Sequence, residues 1–187
     1  MTPGWFTVLV ALVALERVVE LVVATRHLAW ATARGGVESG RRHYPWMVLL
    51  HTGLLAGCLV EAWVAHRGPH PVLGGVMAGV VVLTQLLRWW CIRTLGPQWN
   101  TRIVIVPGLA PVTSGPYRFL PHPNYLAVAV EGLALPLAGS AWVTAIIFTV
   151  LNAWLMTIRI PAEEKALRTL VASGSTSGDS TGGESRG

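Results

Sequence analysis

With 187 residues, the chain suffices for one domain and falls short of two comfortable ones. Apolar residues make up 52% and charged ones 12%, the latter about half the ~25% usual for soluble domains, and mean hydropathy is +0.53. This balance excludes disordered and fibrous chains and marks a small polytopic membrane protein. The formal charge of +5 is carried almost wholly by arginine in short loops. No dense basic stripe and no base-stacking aromatic pattern accompanies it, so nucleic acid is not expected as a partner. Cys58 and Cys91 sit in or at the end of apolar runs, so neither a disulfide framework nor a metal site is expected.

The first apolar run, residues 5–24, gives about 30 Å of helix, one hydrocarbon thickness. Glu16, Arg17 and Glu20 interrupt it and argue against a signal peptide. The second, 46–65, carries His51 and Glu61; the third, 72–90, ends in Gln85, Arg88 and a tryptophan pair placed like an interfacial belt. Residues 92–124, with three arginines and six of the twelve prolines, cannot span. Apolar character returns over 125–137, breaks at 136–140 and resumes over 141–158, which predicts a tight helical hairpin. Residues 162–172 can continue as a short amphipathic helix, and 173–187 have the Gly/Ser/Thr composition of a disordered tail.

Basic residues cluster in the first loop (26–45), in the third loop and after the fifth run, whereas the second loop has Arg67 alone. The positive-inside rule then predicts five spans, an outer N-terminus and a cytoplasmic C-terminus. The fold class expected is therefore all-α and integral to the cell membrane, with one domain over 1–172 whose second half, about 92–172, carries the polar motifs.

The third loop ends in Ser114-Gly115-Pro116-Tyr117-Arg118 and then His122-Pro123-Asn124-Tyr125. Pro123 suits a first helical position, which places His122 at the N-cap and Tyr125 within the first turn. The free amides there favour an anion. A hairpin would return Arg159 and Glu163-Glu164 to the same end, beside His122 and Tyr125. The combination of these motifs resembles the isoprenylcysteine carboxyl methyltransferase family of integral membrane enzymes. The match covers residues 99–167, and helices one to three share only general character with it. The stretch His43-Tyr44-Pro45-Trp46-Met47…His51, with Trp99-Asn100-Thr101-Arg102, is similar to a bacterial branch that methylates alkylresorcinol or alkylpyrone lipids.

The resemblance implies S-adenosylmethionine as cofactor and a cytoplasmic site for it. It assigns contacts to Leu109, Ala110, Pro111, Val112, Tyr117, His122, Pro123, Asn124 and Tyr125, a cofactor role to Glu163 and a substrate-side role to Arg159. Pro121 stands where the family usually has arginine before His-Pro, so Arg118 or the helix amides must meet the cofactor carboxylate. Methyl transfer to a phenol or pyrone enol profits from a cation, which Arg159 can supply, and from a base, for which Glu131 is the candidate. The expected reaction is O-methylation of an alkylated phenol or pyrone lipid, with a functional link to a type III polyketide synthase. Carboxyl methylation of a prenylated cysteine, an NADPH-dependent membrane reductase and a non-enzymatic transporter or assembly factor stand as alternatives.

Overall fold

Phe6, Val10, Val13, Glu20, Ala24 and Ala31 recur every three or four residues and are the buried positions of helix α1 (Gly4–Thr32), so one stripe of a largely apolar helix faces inward. The structure is a computed structural model describing residues 4–65 and 70–176, with backbone alone at 42 and over 170–176. Four more helices follow: α2 (Tyr44–Val64), α3 (Pro71–Leu95), α4 (Pro123–Ala138) and α5 (Trp142–Thr176). Three of them open on a proline in the first turn, where the missing amide has no intrahelical partner to lose. Large apolar side chains such as Leu12, Leu83, Trp63 and Ile146 are more than half exposed, an inside-out surface suited to lipid.

Among the described residues three helices, α2, α3 and α5, are long and apolar enough to cross a membrane. The five expected runs all fold as helices, but α1 carries Glu16, Arg17 and Glu20 in its middle, and α4, at 16 residues, is about 24 Å long. The chain is also not wholly helical. Strand β1 (Val37–Ser39) pairs antiparallel with β2 (Ile103–Ile105), Glu38 opposite Val104, and ties the first loop to the third. Glu38 accepts from Arg41 and from Arg102, and Arg102 lies over the Tyr44 ring.

Helix α5 runs unbroken through Pro161, so the run over 141–158 and the continuation over 162–172 form one element. The helix continues to Thr176, past Ser173 where the tail is expected to start. Residues 177–187, the rest of the expected tail, and Arg67 lie outside the described residues.

The α4–α5 turn closes as a Schellman motif: the amide of Ala141 donates to Pro136 and that of Ser140 to Leu137. Ser140 holds the left-handed position at φ 58°. From α2, the Glu61 carboxylate accepts the amides of Val143 and Thr144 and the Thr144 hydroxyl, so the first turn of α5 is capped by another helix. The hairpin packs tightly, since a Cβ at Gly132 would strike the Phe148 ring and one at Gly139 the Phe6 ring. Around it Phe6, Val10, Leu54, Cys58, Val81 and Leu135 form the main core.

Candidate active site

The hairpin brings its two ends together. The Tyr125 hydroxyl, in the first turn of α4, donates to Glu163 Oε2 on α5. One helical turn before Glu163, Arg159 is buried, with its guanidinium carbon 5.8 Å from the centre of the Tyr125 ring. It donates from Nη2 to the Thr101 carbonyl at 3.1 Å and touches the Met47 sulfur. His122 occupies the N-cap of α4 without a side-chain capping bond. Its ring lies 5.5 Å from that of Tyr125, and Nε2 is 3.5 Å from Glu164 Oε1.

These groups rim a cavity of ≈ 380 Å³ enclosed by all five helices and by β2 with the chain that follows it. Leu109, Pro111, Val112, Tyr117, His122, Asn124, Tyr125, Arg159 and Glu163 all line it. Four other expected site residues, Ala110, Arg118, Pro123 and Glu131, do not border it. Arg118 turns onto the Phe119 ring at 4.9 Å, Pro123 is packed in the interior, and Glu131 is held by Arg17 at 2.9 Å. Gly115 sets the course of the loop at φ +56°, where a Cβ would also lie 2.5 Å from Thr94 Oγ1. Burial pushes the Tyr117 phenol above the usual tyrosine range, aided by its hydrogen bond with Cys91, so it stays a neutral group at physiological pH.

Several lining residues carry no motif of their own in the sequence. Met47, His51, Trp99 and Thr101 come from stretches that had drawn notice only as a likeness to the bacterial branch. Arg17 and Glu20 come from what reads, with Glu16, as a self-contained helical cluster, and Arg88 from the end of the third run; the signal for the first helix lay in Glu20 falling on the buried stripe of α1. Glu20 takes Arg88 in a two-pronged pair at 2.8 and 2.6 Å and Arg17 at 2.6 Å, while Arg17 also donates to Gln85 at 2.9 Å.

A cavity of this size lies within the roughly 300–1,000 Å³ of small-molecule sites. Asn124 Oδ1, Arg159 Nε and Trp99 Nε1 are buried in lining residues and have no partner among the described residues. Buried polar atoms are normally satisfied, so an acceptor and two donors left free call for a ligand with both functions. S-adenosylmethionine, with its ammonium, carboxylate and ribose diol, answers that description. The described residues hold no cluster of metal-ligating side chains.

Comparison with known proteins agrees. The model of the isoprenylcysteine carboxyl methyltransferase (ICMT) family matches residues 77–169. An uncharacterized protein of Bacillus subtilis (strain 168), YpbQ, is 36% identical over 163 residues, 87% of this chain and 96% of that one. An uncharacterized protein of Haemophilus influenzae is 22% identical over 152 residues, covering 81% and 88%. No solved structure matches. Three candidate spans and these likenesses mark an integral membrane protein. By its sequence, the chain belongs to the isoprenylcysteine carboxyl methyltransferase family.

Proposed function

We propose that the protein transfers a methyl group from S-adenosylmethionine to an oxygen of a membrane-embedded lipid, an alkylated phenol or pyrone. The observation that carries this is the meeting of Tyr125 and Glu163 across the hairpin at the rim of the cavity. The cofactor supplies an electrophilic methyl group on a sulfonium; every other requirement falls to the chain.

Glu163 suits the ammonium or the ribose diol, and the faces of Tyr125 and His122 suit the adenine or the sulfonium. The Asn124 oxygen is free for a donor. The amides at the start of α4 favour the carboxylate, since Arg118 points elsewhere. Arg159, fixed by Thr101, would hold the acceptor as its oxyanion once the hydroxyl proton has passed to water at the cavity rim, and its Nε has no partner among the described residues. Glu131 reaches the cavity only through Arg17, so its part is to position that arginine. Apolar walls from Val48, Leu55 and Val128 keep water away and hold the alkyl chain. Doing the chemistry in the membrane avoids extracting that chain, which would cost ~0.8 kcal/mol per CH₂.

In this proposal five helices cross or enter the bilayer, with the N-terminus outside and the rim of the cavity facing the cytoplasm, where the basic residues lie. A type III polyketide synthase would make the acceptor. Calorimetry on protein purified in detergent is expected to show S-adenosylhomocysteine binding, and labelled methyl donor is expected to mark a lipid in membrane extracts. Binding of NADPH in place of S-adenosylhomocysteine would turn the assignment to a reductase, and binding of neither would remove the enzyme reading.

A further inference from the structure

Given that donor and acceptor share this cavity as proposed above, we infer that its floor is a second polar subsite. There Glu20 and Arg88, steadied by Arg17, take a neutral oxygen, hydroxyl or carbonyl, of the acceptor's head group. All three side chains border the same cavity as Arg159 and Glu163. Glu20 and Arg88 are 2% and 5% exposed. Burying an ion pair among apolar helices adds little stability over apolar packing, so stability alone is a poor reason to keep charges there.

The unpaired atoms say what is missing. Of the three lining side chains, Arg88 Nη1 and Arg17 Nε are buried donors with no partner among the described residues, whereas both Glu20 oxygens are taken. The missing partner is therefore chiefly an acceptor. Charge narrows it further: Glu16, Glu20 and Glu131 outnumber Arg17 and Arg88, so the network refuses an anion. A neutral oxygen satisfies both conditions, and a hydroxyl can return its proton to a carboxylate.

The test uses two probes, a long-chain alkylphenol with one ring hydroxyl and the matching alkylresorcinol with two. Each is titrated into the full chain in detergent, with and without saturating S-adenosylhomocysteine, so that binding is read whether or not the donor reading holds. Wild type should bind the dihydroxy probe about tenfold more tightly. In E20Q/R88Q the preference should collapse towards unity, with affinity for the one-hydroxyl probe and for S-adenosylhomocysteine retained. Equal binding of the two probes by wild type overturns the subsite, and that result stands even if the double variant fails to fold. A preference that survives in a folded E20Q/R88Q does so too, as does selective loss of S-adenosylhomocysteine, which would give the floor to the donor. Absence of methyl transfer to either probe, with the preference intact, would count against the methyltransferase reading alone.

Discussion

Tyr125 and Glu163 are 38 positions apart in sequence and share one hydrogen bond, so removing the carboxylate tests the site at its smallest scale. Glu163→Ala should abolish methyl transfer while leaving stability within about 1 kcal/mol of wild type, because the pair lies half-buried at the rim. Parallel thermal melts and labelled-methyl assays check both halves; an active variant would take Glu163 out of the site. This corner was legible because local rules fix it: Pro123 starts a helix, and a short turn returns α5. The floor was not. Glu16, Arg17 and Glu20 have the spacing of a helix closing on itself, and nothing local reveals that Arg88 and Glu131, far along the chain, complete them.

At the scale of elements, the α4–α5 turn keeps a non-glycine residue in the left-handed region, and Ser140 there has φ 58°. Ser140→Gly should raise stability by about 1 kcal/mol, measured as a higher melting temperature in detergent. The β1–β2 clip offers a pH test. Burial raises the Glu38 carboxyl, but hydrogen bonds from Arg41 and Arg102 outweigh it and hold the group below the usual carboxylate range. A depressed folded value contributes stability above the unfolded one and loses it as pH falls through the folded one. Protection of the Val37–Ser39 amides, taken relative to their intrinsic exchange at each pH, should therefore fall as acid protonates Glu38 in wild type and depend less on acid in Glu38→Gln. Three-residue strands leave no periodicity to read, which is why the clip was hidden in the sequence. Pro161 hid the unity of α5, because a proline normally marks an end; here it merely leaves the Thr157 carbonyl without its amide.

For the whole molecule, hydropathy located all five helices but overstated how alike they are. Counting apolar residues cannot show that α1 turns its charged side chains inward, onto the stripe that closes the cavity. Trp99 and Ala24, with Ile92, form a separate small core beside that stripe, and Asn100 donates to the Ala24 carbonyl, so the first helix is fastened to the third loop. Length and composition gave the material; tertiary packing gave the chamber.

The family match spans 77–169, whereas Arg17, Glu20 and Leu21 come from α1, upstream of it. One wall of the cavity thus comes from outside the matched region. A hybrid joining α1 and α2 of a relative to this chain from α3 onward should keep its grip on S-adenosylhomocysteine and inherit its donor's taste in lipids, as competition between labelled acceptors would reveal.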